Sequence, residues 1–221
     1  MAERKNLRQI ELLESSSDPE RDKGKVAWIE RLTVRHAYED GTFSRPYRLD
    51  VVSHTGYDAV GVLPYWTENG EPWVMLLMSF RPVLTFREIE PEPAPFMVEM
   101  IAGVLEKGEQ GDIGVKRRAV EELREEAGLP AEESAVQILG ASFYSSPGVY
   151  TEKLWVCAVE VDMAQRTTPK LDGSVMEEMI EPFAVALETA RRMCWRGEIR
   201  DAKTEIALER LARFLSAQAQ S

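Results

Sequence analysis

The chain alternates short apolar runs with segments rich in glycine, proline and acidic residues, and this pattern predicts strands on either side of one central helix. Apolar side chains recur at three- and four-residue spacing from Ala119 to Ala127, which is the period of an amphipathic helix. The Gly128-Leu129-Pro130 sequence that follows supplies a glycine C-cap and then a proline, so the helix is expected to end there.

Runs of apolar and β-branched residues bounded by turn signals predict strands before and after this helix. These predicted strands cover residues 57–64, 73–79, 96–101, 135–144, 154–162 and 176–183. Two further helices are predicted at 187–195 and 201–217, with Asp201 as the N-cap of the second. Strands around one helix, followed by two more helices, predict an α/β (α+β) fold with α/β/α layers.

The first part of the chain predicts a separate β-hairpin arm. Residues 26–38 and 44–53 have strand character, and Glu39-Asp40-Gly41 between them is a turn signal. Part of 6–14 is predicted to be helical.

We therefore expect two parts, an arm at 1–54 and a main domain at 55–221. A lone hairpin is marginally stable in water, so the arm is expected to pack on the domain or to exchange with a second subunit.

Composition narrows the class of protein. The net charge of −11 argues against a general nucleic-acid binder, which needs a basic face. Cys157 and Cys194 have no metal-binding spacing and are expected to be reduced, as in an intracellular protein. No apolar run approaches the length of roughly 18 residues expected of a membrane helix, and the N-terminus has no hydrophobic signal region. A soluble cytoplasmic protein without a membrane partner is expected.

The central helix carries a candidate metal site. Glu122, Glu125 and Glu126 stand at positions i, i+3 and i+4, so their carboxylates share one face. Like charges at this spacing oppose the helix by roughly 0.2 to 0.5 kcal/mol per pair. A divalent cation would relieve that repulsion, and Mg²⁺ usually takes one or two carboxylates together with substrate phosphates. A solvated acidic face is the alternative for such glutamate pairs in general.

The segment that leads into the helix adds further fixed positions. Gly103 and Glu109 are separated by five residues, and the helix then carries Glu-Leu-x-Glu-Glu-x-Gly-Leu. This arrangement resembles the Nudix box, Gly-x5-Glu-x7-Arg-Glu-U-x-Glu-Glu-x-Gly-U, in which U is aliphatic. The chain matches the box at Gly103, Glu109, Glu122, Leu123, Glu125, Glu126, Gly128 and Leu129. The resemblance to the Nudix hydrolase superfamily implies a mixed β-sheet between helices.

The chain departs from the family pattern in two ways. Residues 110–120 form an eleven-residue spacer where the pattern has seven, and the extra length, which contains two glycines, is expected to be loop. Glu121 stands where the family has an arginine that helps to orient the carboxylates. Arg117 and Arg118, one turn earlier, are candidates to replace it.

Outside the box, the chain resembles the ADP-ribose pyrophosphatase and nucleoside-diphosphate-sugar hydrolase branch, from about residue 48 to residue 214. The segments that carry this resemblance are Ser79-Phe80-Arg81-Pro82, residues 98–103, residues 145–148 with Thr151-Glu152, and residues 197–204. This branch typically forms dimers in which N-terminal strands pack or swap across the interface, which implies a homodimer through the N-terminal arm.

The resemblance also implies the residues that hold metal and activate water. Glu122 and Glu126 correspond to the principal metal ligands, and the backbone carbonyl of Ala102 to another. Glu125 supports them, both as a ligand and in catalysis. Glu152 corresponds to a loop carboxylate that orients or deprotonates the attacking water.

Two residues are expected on the substrate side of the site. Arg81 follows a buried strand, where its planar fork is suited to bind a phosphate or a carboxylate bidentately. The resemblance places Arg81 near the diphosphate and Glu99 on a strand that faces the substrate cleft.

The function implied is Mg²⁺-dependent hydrolysis of the pyrophosphate in a nucleoside diphosphate sugar, with Mn²⁺ as an alternative metal. The products are a nucleoside monophosphate and a sugar phosphate. The resemblance favours ADP-ribose, and UDP-glucose and GDP-mannose types share the scaffold. Glu121 and the longer spacer motivate an alternative, a non-hydrolytic Nudix-fold module that senses a nucleotide sugar. A structural protein with an acidic helix is a third possibility, and it predicts no effect of metal on stability.

Overall fold

The computed structural model describes residues 6–15, 27–54, 58–89, 95–170 and 180–220. The chain divides into two compact units. The first comprises Met1–Thr55 and Ser146–Glu152, and the second comprises Gly56–Ser145 and Lys153–Ser221.

The first unit contains an antiparallel sheet with the strand order β1-β2-β3. Its strands are β1 (Leu7–Ser15), β2 (Ala27–Tyr38) and β3 (Tyr47–His54). Strands β2 and β3 form the predicted hairpin, whose pairs run from Ala27 with His54 to Val34 with Tyr47. The hairpin prediction is therefore confirmed for these strands.

The helix predicted within residues 6–14 is wrong, because this segment is strand β1 and pairs with β2. Apolar Ile10 and Leu12 alternate with polar Gln9 and Glu11, which is the period of a strand. The carboxylate of Glu11 also lies 2.8 Å from Arg35 on the neighbouring strand, and this cross-strand ion pair favours the sheet.

The second unit is built on a mixed sheet. Its described strands are β4 (Ala59–Glu68), β5 (Glu71–Phe80), β6 (Phe96–Glu99), β7 (Ile101–Val104), β8 (Gln137–Ile138), β9 (Phe143–Tyr144), β10 (Lys153–Glu160) and β11 (Glu181–Ala186). The main path is β11-β5-β4-β10-β8, with β6 on β5, β7 on β4 and β9 on β10. Strands β4 and β10 pair in parallel, and the other pairs are antiparallel.

Helices cover both faces of this sheet. They are α1 (Gly111–Ala127), α2 (Leu187–Trp195) and α3 (Ala202–Gln218). Alternate residues of β4 enter two different apolar clusters: Leu63 packs in the cluster that contains residues of α2 and α3, and Val62 in the cluster that contains residues of α1. Because side chains alternate across a strand, α1 lies on one face and α2 with α3 on the other. The predicted α/β/α fold is confirmed.

Two predicted strands differ from the observed ones. The segment 135–144 forms only the two short strands β8 and β9, with Gly140 between them at a φ of +82°. The segment 96–101 is interrupted at Met100, which separates β6 from β7. The first half of the strand predicted at 176–183 lies outside the described residues, and β11 begins at Glu181.

The long spacer of the box is helical, so its prediction as loop is wrong. Helix α1 begins at Gly111, and the extra residues extend it by about one turn at its N-terminus. Gly114 is buried, and a β-carbon there would overlap the backbone of Glu109. The glycine therefore allows the helix to pack against the preceding loop. At the other end, Gly128 adopts a left-handed φ of 67° and caps the helix as predicted.

Within the described residues, every helix falls short of the length and hydropathy that a bilayer crossing requires.

Candidate functional site

Strand β7 and helix α1 bring two carboxylates to the same short stretch of backbone. The amide of Ala102 donates a hydrogen bond to Glu126 Oε2 at 3.3 Å. The carboxylate of Glu122 lies so close to Gly103 that a β-carbon on this glycine would overlap it. Both acidic side chains are largely shielded, since Glu126 is buried and the side chain of Glu122 is 13% exposed. The helix therefore presents Glu122 and Glu126 to Ala102-Gly103.

The position of these carboxylates follows from the packing of α1. The helix buries an apolar stripe that includes Ala119, Leu123 and Ala127, each fully buried in the cluster that it shares with the sheet. Glu122 and Glu126 each precede a residue of that stripe and are separated by one turn. Burial of the stripe thus fixes the direction in which both acidic side chains leave the helix.

The donor set fits a hard divalent cation. In the described part of the chain, no group of three or more histidine, cysteine, aspartate or glutamate side chains is placed so that it could hold a metal ion by itself. Mg²⁺ does not require such a group, because it is usually held by one or two carboxylates and completes its shell with water and substrate phosphates. Glu122 and Glu126 are carboxylates of that kind, next to the backbone of Ala102. Their predicted role as metal ligands, and that of the Ala102 carbonyl, stays a prediction.

Glu125 is more exposed than the other two glutamates. Its side chain is 39% exposed, and one of its oxygens lies 3.6 Å from Arg124. Its predicted role as a ligand and catalytic support stays a prediction.

Arg118 is surrounded by acidic groups at the entrance to α1. It donates through Nη2 to Glu109 at 2.9 Å and lies 3.6 Å from Glu106. Its Nη1 lies 3.3 Å from Glu121 and 3.9 Å from Glu122. The side chains of Arg118, Glu109 and Glu122 are only 14%, 13% and 13% exposed, so these three charges interact with little screening by solvent. Arg118 therefore connects Glu109 in the loop with Glu121 and Glu122 on the helix.

Of the two arginines considered as replacements, Arg118 is thus the one in contact with the box carboxylates. The side chain of Arg117 is 54% exposed and pairs with Glu133 at 3.6 Å, and only its charge acts on Glu109 of the box. Compared with the family pattern, the arginine of this chain thus stands one turn earlier. Arg118 lies on the same side of the helix as Glu121 and Glu122.

The contacts of Arg118 also change the acidity of Glu109. Burial raises the pKa of Glu109, but the amide of Glu106 and the guanidinium of Arg118 lower it by more. The net pKa lies below the usual value, so Glu109 is ionised at neutral pH and remains paired with Arg118.

Arg81, which follows β5, and Glu99, the last residue of β6, form an ion pair in which the carboxylate is buried. Arg81 donates to Glu99 Oε2 from Nε, at 2.8 Å, and from Nη2. The other oxygen of Glu99 accepts from Lys203 Nζ at 3.1 Å. The side chain of Glu99 is 5% exposed, whereas that of Arg81 is 42% exposed. Glu99 is thus enclosed by two cations, and Arg81 is the member that reaches solvent.

Arg81 is also electrostatically connected to the helix carboxylates. Burial lowers its pKa, the hydrogen bond and charge of Glu99 raise it, and the charges of Glu126 and Asp201 add to that rise. The net pKa is above the usual value. Arg81 and Glu126 therefore influence each other electrostatically. The predicted roles of Arg81 and Glu99 on the substrate side of the site stay predictions.

Lys203 was not predicted as a functional residue. In the sequence, the segment 197–204 indicates only the family branch, and Asp201 only a helix N-cap. That N-cap is confirmed, since Asp201 accepts from the amide of Thr204 at 3.1 Å.

Glu152 lies in the first unit, next to Tyr150 in the same loop. Burial raises the pKa of Tyr150, and the charge of Glu152 adds to the rise. The predicted role of Glu152 in activating water stays a prediction.

Comparison with known proteins finds relatives over most of the chain. An ADP-ribose pyrophosphatase of Bacillus subtilis is 33% identical over 171 residues, which cover 77% of this chain and 80% of that protein. An ADP-ribose pyrophosphatase of Escherichia coli strain K12 is 30% identical over 176 residues, which cover 79% and 76%. A GDP-mannose pyrophosphatase of Cronobacter sakazakii is 33% identical over 142 residues, which cover 62% and 65%. No protein-family model matches the chain.

A solved structure described as an ADP compounds hydrolase has the same fold. It superposes with a TM-score of 0.61 and covers 99% of this chain and 98% of its own, at 14% identity. At that identity the likeness concerns the fold alone, whereas the sequence relatives extend over the box and the segments around it. The chain belongs to the Nudix hydrolase superfamily, in the branch of ADP-ribose pyrophosphatases and nucleoside-diphosphate-sugar hydrolases.

Proposed function

We propose that this protein hydrolyses the phosphoanhydride bond of a nucleoside diphosphate sugar to give a nucleoside monophosphate and a sugar phosphate. The observation that carries this proposal is the convergence of Glu122 and Glu126 on Ala102-Gly103. ADP-ribose is the first candidate substrate, because relatives named ADP-ribose pyrophosphatase align over more than three quarters of the chain. GDP-mannose is the second candidate substrate, because a relative named GDP-mannose pyrophosphatase aligns over 62% of the chain.

The metal is proposed to be Mg²⁺, with Mn²⁺ as an alternative. Glu122, Glu126 and the carbonyl of Ala102 would hold it, with Glu125 in support. A bound divalent cation supplies charge neutralisation at the phosphate oxygens and a lower pKa for the attacking water. Arg118 keeps the carboxylate of Glu122 in place through the 3.9 Å contact described above.

The remaining steps use side chains of the protein. A water oxygen attacks one phosphorus of the diphosphate, and the bridging P–O bond breaks as the other phosphate leaves. We assign Glu152 as the general base that accepts the proton of that water. A positioned general base increases the rate by roughly 10²- to 10⁴-fold. The exposed part of the Arg81 guanidinium binds a phosphate oxygen of the diphosphate, and Glu99 holds this arginine in place.

The first unit is proposed to form a homodimer interface with a second copy of the chain. Its first strand exposes two large apolar side chains that share a face, Ile10 at 52% and Leu12 at 60%. Apolar side chains exposed together are typical of interaction surfaces. Sedimentation of the full chain measures the oligomeric state, and a monomer at micromolar concentration contradicts this part of the proposal.

A cytoplasmic location is proposed as well. Cys157 and Cys194 are both free thiols, as expected in a reducing compartment. Burial raises the pKa of Cys157 to about 12, so this thiol is unreactive at neutral pH.

The experiment is a panel of nucleotide sugars incubated with the protein and Mg²⁺ and assayed for released monophosphate. Turnover of ADP-ribose or GDP-mannose that stops on chelation of the metal supports the proposal. Binding detected as a rise in Tm without turnover favours the non-hydrolytic module instead. The contacts of Arg118 and the helical spacer weaken the reasons for that alternative, because both departures from the box are accommodated in the fold.

A further inference from the structure

The first turn of α3 forms a closed ring of contacts with the backbone between β6 and β7. Lys203 Nζ donates to Glu99 Oε1 at 3.1 Å and lies 2.7 Å from Asp201 Oδ1. The other oxygen of Asp201 accepts from the hydroxyl of Thr204. That hydroxyl in turn accepts a hydrogen bond from the backbone amide of Met100 at 2.8 Å. Met100 follows Glu99 in the chain, which closes the ring. The residues of this ring are Glu99, Met100, Asp201, Lys203 and Thr204, and we call it the α3 clamp.

The clamp is shielded from solvent and balanced in charge. Thr204 is fully buried, and the side chains of Glu99, Asp201 and Lys203 are 5%, 13% and 20% exposed. With Arg81 the group contains two cations and two anions. A carboxylate as shielded as Glu99 is costly unless cations and hydrogen bonds compensate it, so each cation contributes to keeping it in place.

The clamp acts on the same carboxylate that holds Arg81. Glu99 uses Oε2 for Arg81 and Oε1 for Lys203, so the two cations hold opposite oxygens of one carboxylate. Loss of Lys203 would release one side of that carboxylate and leave three charged groups with a net negative charge. The carboxylate would then be free to rotate, and the Arg81 guanidinium would move with it.

We propose that Lys203 is a positioning residue for substrate binding: through Glu99 it fixes the guanidinium of Arg81 toward the diphosphate. This inference rests on the proposed function, in which Arg81 binds a phosphate oxygen. Lys203 itself does not contact the substrate, since its ammonium is engaged by Glu99 and Asp201 in the interior of the clamp.

A double-mutant cycle tests the proposal in the full-length protein. Lys203→Met removes the charge, Lys203→Arg retains it, and Arg81→Met removes the group on which Lys203 is proposed to act. Steady-state KM and kcat are measured with the best substrate of the panel, for the single variants and for Arg81→Met/Lys203→Met. Circular dichroism and Tm identify variants that fail to fold, and Lys203→Gln, which retains a hydrogen-bond donor, then replaces Lys203→Met.

We expect Lys203→Met to raise KM about tenfold with a smaller change in kcat, and Lys203→Arg to restore most of the affinity. In the Arg81→Met background the same change should have little further effect on KM, because the two residues act in series. Independent, multiplicative effects of the two substitutions would overturn the inference, since they require Lys203 to act without Arg81.

The same experiment separates this inference from the proposed function. If the wild-type protein binds a nucleotide sugar without turnover, hydrolysis is wrong, and the cycle is measured on the Kd for ADP-ribose by calorimetry with the same two outcomes. If the wild-type protein turns over substrate and the effects of the two substitutions on KM multiply, only the role of Lys203 is wrong. A wild-type protein that neither binds nor hydrolyses any member of the panel overturns both.

Discussion

The carboxylate of Glu122 occupies the space into which a side chain at Gly103 would project. This contact explains in physical terms why the box begins with glycine at this position, because any β-carbon there would displace the carboxylate of Glu122. Since Gly103 follows Ala102, whose amide binds Glu126, one dipeptide receives both carboxylates.

Substitution of Gly103 by alanine should therefore impair the metal site with little effect on the fold. The added methyl group pushes the Glu122 carboxylate away, and displaced or unsupported ligands typically cost about 10- to 100-fold in metal affinity or activity. The measurement is the Mg²⁺ concentration that gives half-maximal activity. The control is the free energy of unfolding in the presence of a chelator, which should change little. An unchanged Mg²⁺ requirement would contradict the proposed placement of Glu122.

Glu126→Gln should lower kcat by orders of magnitude while the protein stays folded. The amide side chain is nearly isosteric and can still accept from the amide of Ala102, but it has lost the charge that would attract a divalent cation. Glu132→Gln is a matched control, because Glu132 is exposed and lies beyond the end of α1. Activity near that of the wild-type protein in Glu126→Gln would remove the metal-dependent mechanism.

Local periodicity was sufficient to predict the parts of the fold in which sequence neighbours determine the structure. The apolar stripe of α1, its Gly128 cap and the hairpin of β2 and β3 are such cases. The sequence does not predict strand β1, because Leu7, Ile10 and Leu13 recur at a three-residue spacing that also suits a helix, and the pairing of β1 with β2 is a tertiary contact. The sequence does not predict the first turn of α1, because Gly114 favours a loop. In the fold, the absence of a side chain at Gly114 allows the helix to pack closely on the backbone of Glu109.

The candidate site was predictable to the extent that its residues are adjacent in a motif. Glu122 and Glu126 are one turn apart on one helix, and their common direction follows from that spacing alone. Lys203 is 104 residues from Glu99, the carboxylate it binds, and no local pattern connects the two. Contacts of this kind become visible only after the sheet and α3 have been assembled.

Arg118→Gln should weaken the site, and Glu121→Arg in the same chain should restore it in part. Without Arg118, Glu109 and Glu122 lose the cation that lies between them, and their repulsion is uncompensated. An arginine at residue 121 restores the family spacing directly before Glu122. The readout is again the Mg²⁺ requirement, with Arg117→Gln as the control for loss of an exposed charge. Equal effects of Arg117→Gln and Arg118→Gln would contradict the role given to Arg118.

Stability should depend on pH through Glu99. Burial raises the pKa of this carboxyl, but the hydrogen bond from Arg81 and the charge of Lys203 lower it by more, so that it lies below the ordinary value of 4.5. A group whose pKa is lower in the folded state stabilises the fold at pH values above its unfolded pKa. That stabilisation is lost as the pH falls through the folded pKa, because the unfolded chain binds the proton first.

The charges that face Glu99 are those of Arg81 and Lys203, with Asp201 and Glu126 beyond them. We expect Glu99→Gln to lower the free energy of unfolding by about 2 kcal/mol at pH 7, less than a fully buried pair would give, because Arg81 reaches solvent. The difference between the two proteins should shrink as the pH is lowered below 4.5. Urea unfolding at several pH values between neutral and acidic, with a chelator present, measures it. A difference that is constant with pH, or that grows on acidification, would show that Glu99 is not stabilised as an anion in the folded protein.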